Sequence, residues 1–255
     1  MPTLHFTLFG KPHIYLDDDP LDGLISAKAR AILFYLAVNQ ERTSRELLAG
    51  LLWSDMPERS ARASLRVALS KLRRHLADYL HIDRRNVDLV QTAALKMKIE
   101  IDIIQFAQAA VTEPRTAVSL YTAPFLHDFY LRDAPLFDQW VEGERQQLHQ
   151  QAVTLLKQLA TDSAAAHNLP KAITDLRHLL TLEPWREDAH RQLMGVLMQN
   201  GQRAAALAQY DLCRQALQEK LDTLPSAETT ALYNTLKTMP PAVPPVPPVP
   251  SAPLA

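Results

Sequence analysis

Five positions in the second half of the chain recur 34 residues later, and no other feature restricts the architecture as much. Leu159, His167, Ala172, Leu176 and Leu179 return as Leu193, Gly201, Ala206, Tyr210 and Cys213. A 34-residue period is that of tetratricopeptide helix hairpins, in which each unit buries its apolar face against the next. Ala172 and Ala206 are small enough to let paired helices approach closely, while Leu176 and Tyr210 fill the groove between them. Pro184 follows the second helix of the first repeat, where proline ends a helix at little cost. The apolar period is helical from about Ile104 onward, so this half is expected to be all-α.

The first hundred residues follow a different pattern. Leu4, Phe6, Leu8, Ile14 and Leu16 alternate with polar residues around Gly10-Lys11-Pro12, which predicts a β-hairpin. Asp17-Asp18-Asp19-Pro20 is expected to end it, because neither residue type suits a strand interior. Ser26 is placed to cap a helix over 27–38 that buries Ile32, Leu33 and Leu36. Thr43-Ser44-Arg45-Glu46 matches a capping box with Thr43 at the N-cap and Glu46 at N3. It opens a short helix carrying Leu47, Leu48, Leu51 and Leu52. Trp53, Ser54, Asp55, Met56 and Pro57 interrupt that period, and a longer helix is predicted over 58–76. Three short strands are expected at 81–83, 86–90 and 96–101. A strand pair, three helices and returning strands describe an α+β winged helix-turn-helix.

The third helix divides sharply by face. Ala61, Leu65, Ala68, Leu69, Leu72 and Leu76 fall together at 3.6 residues per turn and should pack inward. The opposite face collects Arg59, Ala63, Arg66, Val67, Ser70 and Arg74, with Lys71 nearby and Arg62 and Arg73 at its margin. Residues 59–76 hold six basic side chains and no acidic one. Small residues let such a helix sit deep in a major groove. Arginines match guanine edges bidentately, and Ala63 or Val67 suits a thymine methyl. The marginal arginines suit phosphates, which fix register without reading sequence. A solvated basic face would carry the same charges. The capped helix before it and the strands after it favour DNA. Arg84 and Arg85, near a hairpin tip, either reach the minor groove and backbone or form an ordinary polar turn.

Composition excludes several other classes. The 255 residues are 47% hydrophobic with a net charge of −1, so no uniformly basic coat binds nucleic acid. No apolar run approaches the ~18–20 residues of a membrane span, and the first residues lack a signal peptide's basic and apolar regions. A soluble, cytoplasmic protein without a membrane partner is expected. Cys213 is the only cysteine and can form neither an internal disulfide nor a thiolate metal site. His127, Asp128 and Asp133 lie close together in FLHDFYLRDAP, but HExxH and CxxC spacings are absent. Catalytic residues, metal and cofactor are therefore expected to be none, and this stretch is read as an aromatic-rich join between domains.

The motifs also carry a family resemblance. SARASLRVALSKLRRHL, preceded by SRELLAGLLW, resembles the OmpR-type winged-helix domain of the antibiotic regulatory protein (SARP) family. TAPFLHDFYLRDAPLFDQWVEGERQQL resembles the opening of the bacterial transcriptional activator domain. EPWREDAHRQLMGVLMQNGQRAAALAQYDLCRQALQEKLDTLPSAETTALY resembles its closing repeats. The resemblance implies a winged helix over 1–105 and a tetratricopeptide-like activator domain over 106–238. It also implies binding to tandem double-stranded DNA repeats beside a promoter, with self-association there and recruitment of RNA polymerase. The polymerase-contacting turn of the family maps onto Trp53, Ser54, Asp55, Met56 and Pro57. No receiver segment is expected before the winged helix, and no GxxxxGK[ST] motif occurs in these residues. The proline-rich stretch 239–255 is expected to be an extended linker, and one leading into an ATPase module is compatible with it. The alternative is a repeat-based adaptor or signalling protein whose winged helix binds protein instead of DNA.

Overall fold

The computed structural model describes residues 3–90 and 98–238. Strands β1 (Thr3–Thr7) and β2 (His13–Leu16) pair antiparallel, with Leu4 opposite Leu16 and Phe6 opposite Ile14. The acidic stretch that was expected to end the hairpin instead turns the chain back. Asp17 takes a left-handed conformation (φ 55°), and its carboxylate accepts the Thr3 amide at 2.7 Å. Asp19–Pro20 then form β3, an edge strand on β2, where proline's missing N–H leaves no central ladder position empty. The fourth strand comes from far along the chain. β7 (Lys98–Ile101) lies parallel to β1, giving the order β3-β2-β1-β7.

Helix α1 (Ala27–Asn39) is capped by Ser26, whose hydroxyl accepts the Ala29 amide at 3.3 Å. It is buried beyond the one expected face: Ala29, Ala31, Phe34 and Ala37 are covered along with Ile32, Leu33 and Leu36. The Phe34 ring meets Phe129 edge-on at 5.1 Å. Helix α2 (Arg45–Leu52) is capped by Ser44, not Thr43, through the Leu47 amide at 3.1 Å. Thr43 and Ser44 form β4, paired with β6 (Asn86–Leu89), and β6 also pairs with β5 (Leu80–Ile82). A β-branched residue is well suited to that ladder. Helix α3 (Glu58–Leu76) begins after Pro57, as the pattern predicts.

Helices α4 (Asp102–Thr112) and α5 (Pro114–Leu120) follow β7. The aromatic stretch after them is stitched to the first strand. Phe9 bridges Phe125, the Leu126 amide donates to the Leu8 carbonyl at 2.8 Å, and the Gly10 amide to Pro124 at 3.0 Å. Arg145 donates to the Phe125 and Leu126 carbonyls, both at 2.7 Å. This stretch therefore packs within one compact unit, bonded to the segment that follows β1. Compact packing divides the chain into Met1–Leu155 and Leu156–Ala255, so the expected boundary near 105 lies inside the first unit.

The remaining helices are α6 (Pro135–Ala165), α7 (Leu169–Leu182), α8 (Glu187–Gln199), α9 (Arg203–Leu221) and α10 (Ala227–Thr238). Successive helices from α7 to α10 pack on one another. Ala172, Leu176, Leu179, Leu193, Ala206 and Cys213 are buried at the repeat contacts. His167 and Gly201 occupy equivalent turns, both left-handed, with φ of 56° and 72°. The Tyr210 ring stacks on Tyr233 at 4.2 Å. The fold is thus an α+β winged helix-turn-helix followed by all-α tetratricopeptide-like repeats. The expected linker at 239–255, and residues 96 and 97 of the expected third strand, lie outside the described residues.

Candidate nucleic-acid interface

Helix α3 separates apolar from cationic residues along its whole length. Ala61, Leu65, Ala68, Leu69, Leu72 and Leu76 are its buried residues, the same six that the 3.6-residue period selects. Arg59, Arg62, Ala63, Arg66, Val67, Ser70, Lys71, Arg73 and Arg74 are all exposed. Val67 is 58% exposed, an apolar side chain left facing solvent on a charged face. Arg62 is engaged by Glu58 one turn earlier. That carboxylate lies just before the acid-free stretch and weakens Arg62 as a free cation. Arg59, Arg66, Lys71, Arg73 and Arg74 have no ion-pair partner among the described residues.

The β5–β6 hairpin brings a second set of cations to the same place. Arg84 and Arg85 form its exposed tip, and a cleft of about 610 Å³ lies between that tip, the start of α2 and α3. Arg45, Arg62, Arg66, Arg84 and Arg85 line it, with Ser44, Glu46, Leu65 and Asn86. Of the expected reading-helix residues, Arg62 and Arg66 thus share one concave surface with the wing pair. Arg59, Ala63, Val67, Ser70, Lys71, Arg73 and Arg74 lie on exposed α3 outside the cleft lining.

Asp83 organises the tip. Its Oδ1 accepts the Arg85 amide at 2.6 Å and the Asn86 amide at 2.7 Å, and its Oδ2 pairs with Arg42. The two backbone donors, helped by the Arg42 guanidinium, hold this carboxyl down at a pKa of about 2. Arg45 donates through Nη1 to the Asp83 carbonyl at 3.2 Å. Sequence reasoning passed over Arg42, Arg45 and Asp83. A signal for Arg45 existed: it is the first residue of α2, where the helix dipole favours acidic side chains over basic ones.

The α2–α3 turn exposes Ser54, Asp55, Met56 and Pro57, whereas the Trp53 ring is buried with Lys28 Nζ 5.1 Å from its centroid. His127 Nε2 lies 3.6 Å from Asp128 Oδ1, while Asp133 contributes its backbone carbonyl to Lys28. No cluster of three or more His, Cys, Asp or Glu able to hold a metal ion occurs among the described residues. No helix among them is long and apolar enough to cross a membrane.

Residues 87–237 match the family profile described as the bacterial transcriptional activator domain. The transcriptional regulatory protein MoaR1 of Mycobacterium bovis is 25% identical over 232 residues, which cover 82% of this chain and 71% of that protein. MoaR1 of Mycobacterium tuberculosis is 25% identical over 227 residues, with the same coverage. The solved structure of Mycobacterium tuberculosis EmbR, in complex with a low-affinity phosphopeptide, superposes with a TM-score of 0.66 at 22% identity. The superposition covers 93% of this chain but 65% of that one, and it shows a shared fold.

Proposed function

The chain belongs to the bacterial transcriptional activator domain family, and on that premise we propose that it is a sequence-specific DNA-binding activator that recruits RNA polymerase. The carrying observation is the cleft lined by Arg66 of α3 and by Arg84 and Arg85 of the wing, all three without an ion-pair partner among the described residues. Like-charged guanidinium groups gathered around one cleft repel, and Glu46 in the same lining offsets them only in part. A polyanion relieves that repulsion and releases its counterions on binding. An α-helix fits the B-DNA major groove, where Arg66 would take a guanine edge and Ala63 or Val67 a thymine methyl. Arg59, Ser70, Lys71 and Arg74 extend that surface. Arg62 and Arg73 take phosphates, and the wing arginines reach the backbone or minor groove. Relatives that span most of the chain are transcriptional regulatory proteins, and regulators of that kind are not enzymes.

In this reading residues 1–105 hold the DNA reader and 106–238 the activator module, acting in the cytoplasm. Ser54, Asp55, Met56 and Pro57, with Trp53 bracing the turn from within, offer the surface for polymerase. Copies associate on tandem sites. Selection from a random duplex pool, followed by mobility-shift titration over a salt series, tests the reading. Tight binding should fall steeply with salt and vanish in Arg66→Glu/Arg74→Glu. A flat salt response, or binding that survives both charge reversals, would overturn it and leave the protein-binding adaptor.

A further inference from the structure

One carboxylate fastens the wing tip to the start of the helix-turn-helix. Asp83 Oδ1 caps the turn through the Arg85 and Asn86 amides, while Oδ2 holds Arg42, 41 residues earlier in the chain. The backbone ties the same point from the other side: the Arg45 amide donates to the Arg85 carbonyl at 2.7 Å. That bond prolongs the β4–β6 ladder, in which Thr43 faces Val87 and Ser44 faces Asn86, up to the tip itself. Arg84 and Arg85 therefore extend from a backbone anchored to α2, and α2 packs on α3. A carboxylate beside a phosphate-binding cleft is electrostatically unfavourable for binding DNA. Its presence makes sense if geometry compensates for the charge.

We propose that Asp83 is a positioning residue of the DNA interface, holding Arg84 and Arg85 at a fixed reach from Arg66; this rests on the DNA-binding reading above. Charge and geometry predict opposite signs for Asp83→Ala. Charge alone predicts tighter binding, because a negative group leaves and Arg42 is freed. Positioning predicts weaker specific binding, by about 10-fold, the equivalent of one charge-assisted contact. It also predicts a salt slope flatter by ~0.9, as one phosphate contact is lost.

The experiment is a double-mutant cycle on the full chain, read by mobility shift at several salt concentrations with a duplex recovered from the random pool. Asp83→Ala should weaken the parent but add nothing in an Arg84→Ala/Arg85→Ala background. Asp83→Asn keeps an acceptor for the two amides and loses the charge pair with Arg42. It should cost about 3-fold in the parent and nothing in the double-alanine background, which decides the matter if the alanine variant does not fold. Binding as tight as the parent's, or an equal loss in both backgrounds, overturns the proposal. Arg66→Glu run beside it separates the two failures. If binding survives when Arg74→Glu is added to it, the DNA reading is wrong; if it does not and Asp83→Ala binds more tightly, only the positioning role is wrong.

Discussion

Replacing Asp102 with alanine removes the acceptor that ties the end of β1 to the start of α4. Asp102 Oδ2 accepts the Leu8 amide at 2.7 Å and the Phe9 amide at 2.8 Å, and Oδ1 accepts the Ile103 amide at 2.8 Å. Leu8 and Phe9 are 0% and 3% exposed, so water does not readily replace the lost oxygen. Each orphaned buried amide costs about 1–3 kcal/mol. Burial acts against this, since it pushes the Asp102 carboxyl pKa up despite the three backbone donors, and alanine escapes that penalty. A net loss of about 2–4 kcal/mol follows, or a fall in Tm of roughly 5–15 °C for a domain of this size.

The pH dependence has a definite sign. A raised folded-state pKa means that the folded protein keeps this proton where the unfolded chain, with a carboxyl pKa of ~3.9, has released it. The stabilising effect of that protonation is fully present below the unfolded value and is lost as pH rises through the folded one. In urea denaturation followed by circular dichroism, the gap between parent and Asp102→Ala should be widest in acid and narrow towards neutrality. A variant within about 0.5 kcal/mol of the parent, or a gap that widens with pH, would refute the reasoning.

Four further outcomes can be checked on the same protein. Leu72→Ala, at a fully buried site on α3, should cost about 2–5 kcal/mol. Val67→Ala on the opposite face should leave the denaturation midpoint within about 0.5 kcal/mol of the parent. Gly201→Ala should lower stability by about 1–2 kcal/mol in a thermal melt. The added Cβ meets nothing within 4 Å, so the cost is that of the +72° φ alone. Cys213 is buried, with its thiol pKa pushed up to about 11 by desolvation. It should resist a thiol reagent at mild alkaline pH and react only once the protein is denatured.

The residues differ in how far their roles could be read from order alone. The two faces of α3 follow from a 3.6-residue period within one segment, and each burial assignment there held. The repeat was legible for a similar reason: its positions are compared with copies of themselves, and Gly201 marks a left-handed turn that His167 shares by equivalence. Nothing in Lys98–Ile101 selects β1 as its parallel partner across more than ninety intervening residues, because strand pairing depends on which edge the rest of the fold leaves open. The cap of α2 moved from Thr43 to Ser44 because β6, more than forty residues later, holds both residues extended and the helix starts only at Arg45. Asp83, Arg42 and Arg45 were likewise ordinary surface charges until the fold brought them to one turn. Short-range geometry thus sets which residues share a helix face, and so which cations face outward. The contacts that order the wing join distant segments and exist only once the chain has closed.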